Sequence, residues 1–399
     1  MSTPTGRLET LQAIWRLLFS GFVFSTVRWL EMLAMGLFAY RVTESAFIVA
    51  LLSMLRLLPM GLFGALLGAL AERHDTRASL VIMVGASLLT SASLALLASL
   101  GLLSIWHLGV GSFINGICWA ADNPVRRMMI GESVGPQRIG PALSVDVGFN
   151  NVSRVIGPML AGLLLARFDI AGVFWLGLVL HGCSLWVVWR IAPGKAKPTF
   201  PPLSLLGPMR EGFAMARKDD RLVGILAITS IFNVFGWPFT SMIPVLASDA
   251  LHLATQDIGL LASCEGVGGL LGAFLFASFA KPAWYGRIYV GAVAVYFTTA
   301  VGFAHAHSVF LAALLLLLNG LGGVGFAVMQ TTLIYRNAPV AQRTRLLGML
   351  TACIGVGPIG FFYIGVLADG LSPPVATLAM ALQGMAALAL TRRYWLKLI

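Results

Sequence analysis

Long apolar runs recur along the whole chain and alternate with short polar stretches. Each run holds about 20 residues, which is enough for an α-helix to cross a hydrocarbon core of about 30 Å. The pattern therefore predicts an all-α, polytopic membrane protein with twelve spanning helices. The predicted spans are residues 17–40, 46–71, 79–101, 104–124, 142–166, 171–191, 222–247, 256–280, 288–305, 308–332, 346–369 and 373–391.

The longest polar connection divides these helices into two sets of six. It carries the segments PGKAK, PPLSLLGP and MREGFAMARKDDR, in which Met209, Phe213 and Ala216 recur at helical spacing among charges. Such a pattern is typical of an amphipathic helix at the cytoplasmic interface. We therefore predict an N-terminal half over residues 1–192, a cytoplasmic linker over 193–221 and a C-terminal half over 222–399.

The two halves also share a motif. Residues 153–162 read SRVIGPMLAG and residues 354–365 read IGVGPIGFFYIG, so a Gly-Pro pair falls in the fifth helix of each half. A duplicated six-helix unit is common among secondary transporters, which bind substrate between the repeats near the membrane midplane. The alternative is a chance match, because Gly-Pro pairs are frequent in membrane helices.

Composition and charge agree with this class. Hydrophobic residues make up 58% of the chain and charged residues 11%, against roughly 25% charged residues in soluble domains. Of the 27 Lys and Arg residues, 22 fall on one predicted side, two in the opposite loops and three within helices. This asymmetry predicts that both termini are cytoplasmic, that lipid headgroups are partners and that nucleic acid is not. The four cysteines have no metal-ligand spacing and indicate packing residues, so we expect no cofactor.

The loop after the second helix carries a family resemblance. Its sequence GALAERHDTRAS, residues 68–79, resembles the signature loop of the major facilitator superfamily. Asp75 and Thr76 stand where that signature has glycine and arginine. An aspartate in the glycine position resembles the branch of the superfamily that holds siderophore and macrolide exporters. The matching positions are Gly68 for the glycine, Glu72 for the acid, and Arg73 and Arg77 for the first and last basic residues.

Three further segments resemble the same superfamily. Residues 122–139 and 336–350 are similar to the links between the fourth and fifth helices of each half, and SRVIGPMLAG resembles the helix-five motif of drug–proton antiporters. The resemblance implies the major facilitator fold, two pseudo-symmetric six-helix halves and alternating access. It also implies that Arg77 pairs with Asp122. We predict a gate formed by Gly68, Glu72, Arg73, Arg77, Asp122, Gly157 and Pro158, although these charges would also suit simple topology signals.

Six charged residues lie at predicted membrane depth. An isolated charge at the bilayer centre costs about 2.5–3.5 kcal/mol on insertion scales, so these side chains must pair or face a watery cavity. Arg28 and Glu31 share a helix face, and residues 146, 150 and 154 form one polar stripe. The six residues are Arg28, Glu31, Arg56, Asp146, Arg154 and Glu265.

We predict that one acid among them exchanges a proton for substrate. Glu31 is the first candidate because Arg28 and Arg56 are its predicted neighbours, and the other two candidates are Asp146 and Glu265. The alternative for each acid is a fixed structural ion pair. The predicted substrate contacts are Arg28, Arg56, Arg154, Asn150, Asn115, Asn233, Asn319 and Trp237, and the amides would serve equally as bonds between helices.

The sequence therefore predicts a monomeric secondary transporter of the cytoplasmic membrane, not an enzyme. It would export a small amphipathic organic molecule with an acidic group in exchange for protons. Proton-coupled uptake and lipid or lysolipid transport are alternatives, because the sequence does not set the direction. A transport-inactive receptor or scaffold is an alternative of another class; an added soluble domain would be its signature.

Overall fold

The computed structural model describes residues 4–73, 75–134, 138–192, 214, 216–217, 219–339 and 342–399, and for residues 4–10, 65–73 and 344 it describes the backbone alone. Helices joined by short connections account for nearly all of these residues, and no strand occurs among them. The predicted linker helix lies outside the described residues except at positions 214, 216, 217 and 219–221. For the predicted gate residues Gly68, Glu72 and Arg73 only the backbone is described.

The N-terminal half contains α1 (Pro4–Thr43), α2 (Ala46–Arg73), α3 (Thr76–Ser99), α4 (Ile105–Val134) and one helical stretch over Ile139–Trp189. That last stretch has 51 residues, and a straight helix of this length would measure about 75 Å. The backbone of Asp169 leaves the helical region with a φ of 53°, and the helix bends there. The stretch therefore forms two crossings, α5 (139–168) and α6 (170–189).

The C-terminal half begins with α7 (Asp220–Asp249), which is interrupted by a π-helical turn at Phe232–Gly236. Asp219 caps this helix by accepting a hydrogen bond of 2.8 Å from the amide of Arg221. The remaining elements are α8 (Thr255–Phe279), α9 (Tyr285–Ala304), α10 (Val309–Asn337), α11 (Arg343–Ile354 followed by Gly357–Gly370), α12 (Pro373–Leu390) and the short α13 (Arg392–Trp395).

The described helices agree with the predicted all-α architecture of twelve crossings. Ten helices are long and apolar enough to span a membrane by length and composition. The bend at Asp169 divides the longest of these into two crossings. The polar residues of α4, such as Asn115 and Asp122, lower its hydropathy, and this helix supplies the twelfth crossing. Several helices extend beyond their apolar runs because backbone hydrogen bonding continues outside the hydrocarbon core.

The two halves meet along pseudo-equivalent helix pairs. Helix α5 packs on α8, and α2 packs on α11 and α7. Glycine permits the closest approach: a Cβ at Gly266 would lie 2.6 Å from the carbonyl oxygen of Arg154, and one at Gly259 would lie 2.8 Å from Cα of Gly162. Small residues allow such backbone contact between membrane helices. The interface between the halves is therefore packed backbone against backbone along α5 and α8.

Polar contacts close one end of this interface. We call this end the outer face, following the predicted orientation. Tyr40 of α1 donates a hydrogen bond to Asp249 of α7. Asp369 of α11 accepts hydrogen bonds from Ser45 Oγ at 2.8 Å and from the amide of Phe47 at 3.0 Å. Because the free amides at a helix N-terminus need acceptors, Asp369 caps α2 from the opposite half. The outer face is closed in this structure.

Replacing the capping acid tests this closure. We expect Asp369→Ala to increase the outward-open population about fivefold or more, because a lost cap costs on the order of 1 kcal/mol. The readout is the rate at which a membrane-impermeant maleimide labels Ser248→Cys, which lines a pocket at the outer face, in a chain whose native cysteines are replaced. Asp257→Asn, an exposed acid in the first turn of α8, is the control. Equal labelling rates in the two variants would contradict the assignment of Asp369 to the closure.

Candidate functional site

A narrow central pocket lies between the two halves. Its cavity volume is about 40 Å³, within about 520 Å³ of atom-free space that includes open solvent, and its walls come from α1, α2, α5, α7 and α8. Most of the wall is apolar, and a few polar groups face the space. This is the usual composition of a small-molecule site. The polar lining residues are Ser53, Arg154, Thr240, Ser241 and Glu265, and the apolar ones include Trp29, Met32, Leu33, Pro158 and Ile243.

An ion pair crosses the pocket from one half to the other. Arg154 of α5 donates to Glu265 of α8 at 2.5 Å, and their side chains are 17% and 10% exposed. A second bond between the same helices, from Ser263 Oγ to the carbonyl oxygen of Val155 at 2.8 Å, holds their register. Separation of α5 from α8 would therefore leave Glu265 without its partner in a mostly apolar wall.

Arg28 lies beside this pair without an acidic partner. Its guanidinium carbon is 4.6 Å from the ring centroids of both Trp29 and Trp119, and the guanidinium carbon of Arg154 is 4.8 Å from that of Trp29. In the part of the chain that is described, no acidic side chain lies within salt-bridge distance of Arg28. Its Nε and the indole Nε1 of Trp29 are buried donors with no acceptor.

Glu31 lies inside the N-terminal half, away from the pocket wall. It is fully buried and accepts hydrogen bonds from Arg56 at 3.2 and 3.3 Å, from Asn115 at 3.0 Å and from Ser91 at 3.2 Å. Ser91 also lies 3.2 Å from Nδ1 of His181. This network joins α1, α2, α3, α4 and α6. Arg28, three residues from Glu31, contacts the tryptophans instead.

The third acid, Asp146, belongs to a network between α4 and α5. It pairs with Arg126 and, at 3.3 Å, with Arg127, and Arg126 also contacts Asp122 at 3.1 Å. The expectation that Arg77 pairs with Asp122 is wrong in this structure. Arg77 donates to the carbonyl oxygen of Trp189 at 2.5 Å because α3 packs against α6, while Arg126 is one turn from Asp122 on the same helix.

The polar stripe on α5 therefore diverges to three neighbours. Asp146 contacts α4, Asn150 donates to Ser25 of α1 at 3.0 Å, and Arg154 contacts α8. Residues four apart are slightly more than one 3.6-residue turn apart, so each stripe residue points in a slightly different direction around the helix axis. The three side chains therefore reach different neighbouring helices. Only Arg154 of the stripe lines the pocket.

The other predicted substrate contacts bond to protein groups. Asn233 donates to the carbonyl oxygen of Thr229 at 2.8 Å, and Asn319 donates to Thr299 at 3.0 Å. Trp237 packs edge-on against Phe361 with centroids 6.2 Å apart. Gly157 lies against α1, where a Cβ would be 2.6 Å from that of Trp29. Asn319, Trp237 and Gly157 thus contact neighbouring helices, whereas the bond of Asn233 lies within α7.

Sequence reasoning missed the small polar residues of the pocket. Ser53, Thr240 and Ser241 are common in apolar helices and carry no distinctive spacing. One signal was available for α7: Pro238 and Pro244 flank the serine–threonine pair, and a π turn precedes it. Interrupted helices mark binding sites in transporter folds.

Two packed six-helix bundles, a pocket at their interface and an ion pair across it define a membrane transporter rather than an enzyme. The chain matches the major facilitator family described as transmembrane secretion effectors over residues 7–398, and it belongs to that family. The predicted membership of the superfamily is thereby confirmed.

The chain is also similar to two named transport proteins. Macrolide efflux protein A of Enterococcus faecalis is 24% identical over 229 residues, covering 55% of this chain and 69% of the relative. The staphyloferrin A transporter of Staphylococcus aureus is 22% identical over 313 residues, covering 76% of each chain.

Solved transporter structures share the fold. A bacterial homologue of the human lysosomal transporter Spinster, inward-facing and unoccupied, aligns with a TM-score of 0.72 and 14% identity over 100% of this chain and 99% of its own. A POT family transporter in complex with 5-aminolevulinic acid aligns with a TM-score of 0.78 and 11% identity over 96% of each chain. At these identities the likeness shows the fold alone.

The Glu31 network predicts a large effect on stability. Glu31→Gln leaves the buried charge of Arg56 unpaired, which typically costs 3–5 kcal/mol, so we expect the Tm in detergent to fall by several degrees. Adding Arg56→Met removes the orphaned charge and should restore much of the loss. Asp220→Asn, which breaks the exposed pair with Lys397, should change the Tm little. A Tm for the double variant below that of Glu31→Gln would argue against this explanation.

Proposed function

We propose that the protein exports a small amphipathic organic molecule by proton antiport, with Glu265 as the proton-carrying acid. The observation that carries the proposal is the ion pair between Arg154 and Glu265, which joins the two halves at the wall of the central pocket. Of the three acids considered from the sequence, Glu265 alone lines this pocket and contacts the opposite half. Glu31 and Asp146 are paired within the N-terminal half.

The ion pair links protonation to conformation. With the outer face closed, the carboxylate of Glu265 accepts a hydrogen bond from Arg154. When α5 and α8 separate toward the outward-open state, the carboxylate loses this partner within an apolar wall, and a charged unpaired carboxylate is costly there. Uptake of a proton from the outside removes that charge. Return to the closed state re-forms the pair and releases the proton to the inside.

Substrate enters the same cycle in the opposite direction. It binds the pocket from the inside, and separation of α5 from α8 opens the pocket outward, where substrate leaves and a proton takes its place. A ligand that binds one conformation more tightly than the other shifts the population between them, so substrate and proton drive opposite steps. The named relatives, a macrolide efflux protein and a staphyloferrin A transporter, support a small organic molecule as cargo.

Reconstituted vesicles test the coupling. We expect wild-type protein to accumulate the fluorescent amphipathic acid dansylglycine when the vesicle interior is acidic, because outward proton flow drives inward substrate flow. Glu265→Gln should reduce this accumulation at least tenfold while retaining exchange of labelled for unlabelled probe. Asp257→Asn, an exposed acid on the same helix, should behave as wild type.

Other outcomes separate the alternatives. Accumulation only with an acidic exterior would indicate proton-coupled uptake and contradict the proposed antiport. Full accumulation by Glu265→Gln would remove that residue from the coupling step. Suppose that a folded, monodisperse Glu31→Gln lost pH-driven accumulation of the probe while Glu265→Gln kept it. Glu31, in the buried network of the N-terminal half, would then be the proton-carrying acid.

A further inference from the structure

Arg28 forms an unusual group with two tryptophans on α1 and α4. The guanidinium lies 4.6 Å from the ring centroids of Trp29 and Trp119, and Trp29 lines the central pocket. Cation–π contact stabilises such an arrangement but leaves the N–H donors of the guanidinium, which lie in its plane, free for an acceptor. We propose that Arg28, Trp29 and Trp119 form the subsite for the carboxylate of an amphipathic organic acid.

Two unpartnered donors support this subsite. Nε of Arg28 and Nε1 of Trp29 are buried and have no hydrogen-bond acceptor. A buried donor without a partner is costly, and two of them on adjacent residues beside a pocket are uncommon. The two oxygens of a carboxylate are acceptors of the kind that these donors lack. A neutral ligand would satisfy them less well because charge-assisted hydrogen bonds are about twice as strong as neutral ones.

The charge distribution favours an anion at the same place. Arg56, Arg154 and Arg126 are neighbouring cations of Arg28. Each of these three has its own acidic partner, in Glu31, Glu265 and the pair of Asp122 and Asp146, whereas Arg28 has none among the described residues. Arg127 also pairs with Asp146, so these described networks hold five arginines, with Arg28 included, and four acids, which leaves one positive charge over. A bound carboxylate would balance it.

The surroundings define the rest of the ligand. The pocket beyond Trp29 is walled mainly by apolar side chains such as Met32, Leu33 and Ile243. The guanidiniums of Arg28 and Arg154 lie over the Trp29 ring, so the apolar body would contact the aliphatic side chains of this wall. The class is thus a carboxylic acid with an apolar body, held by its acid group at Arg28. This inference deepens the proposed function and rests on the central pocket being the transport site.

A matched pair of probes tests the subsite by binding, without transport. Dansylglycine carries a carboxylate, and dansylglycinamide has the same body with a neutral amide. We expect purified wild-type protein in detergent to bind dansylglycine at least tenfold more tightly, measured by probe fluorescence at neutral pH. Arg28→Gln should abolish this preference by weakening dansylglycine binding alone. Arg28→Lys keeps a cation and should retain part of the preference, which covers the case in which the glutamine variant does not fold.

A control arginine separates the subsite from general charge effects. Arg190 stacks on Trp186 at 3.9 Å on the exposed surface, so Arg190→Gln removes a similar Arg–Trp contact away from the pocket. This variant should keep the full preference. Equal affinity of the wild type for the two probes, or an unchanged preference in a folded Arg28→Gln, would overturn the inference. Either result would leave pH-driven transport and its loss in Glu265→Gln intact, so failure here is distinct from failure of the proposed antiport.

Discussion

An ionised side chain inside a bilayer must meet an opposite charge or water, since the hydrocarbon offers neither, and this constraint organises the protein. Three sets of pairs satisfy it at different places. Glu31 and Arg56 join helices within the N-terminal half, and Asp146 with Arg126 and Arg127 joins α4 to α5. The third pair, between Arg154 and Glu265, joins one half to the other. In the proposed cycle the first two stay within a bundle that moves as a unit, whereas the third separates when the halves rearrange.

This division explains how one fold can combine rigidity with movement. A pair buried within six packed helices is costly to separate, so its helices keep their relative positions. A pair at an interface closed by glycines and by a few polar contacts at the outer face can separate without unfolding either bundle. The proposed antiport therefore places its coupling step at the interface, where Glu265 of α8 contacts Arg154 of α5. Arg28 adds a positive charge beside that interface, which the proposed anionic cargo would balance.

Much of the architecture was predictable from the chain. Apolar runs of membrane-spanning length placed nearly all the helices, because the need to satisfy backbone hydrogen bonds in lipid leaves few alternatives to a helix. The Gly-Pro pairs and the loop at residues 68–79 identified the superfamily. The bend at Asp169, which turns one continuous helical stretch into two crossings, fell between two predicted spans. The candidate site was predicted less well: Arg154 and Glu265 were named, but Glu31 ranked first among the acids, and the serine and threonine residues of the pocket were missed.

The sequence by itself determined which segments lie in lipid and which in water, and it showed six charged residues within the predicted spans. Hydropathy and charge are properties of single residues, so no knowledge of the fold is needed to assign them. Only the tertiary structure decided which charges meet. Glu31 and Arg28 share a face on α1 by spacing, yet Glu31 contacts Arg56 and Arg28 contacts two tryptophans. The choice depends on how each helix is rotated against its neighbours, and that rotation is set by packing of the whole bundle. A local spacing cannot encode it.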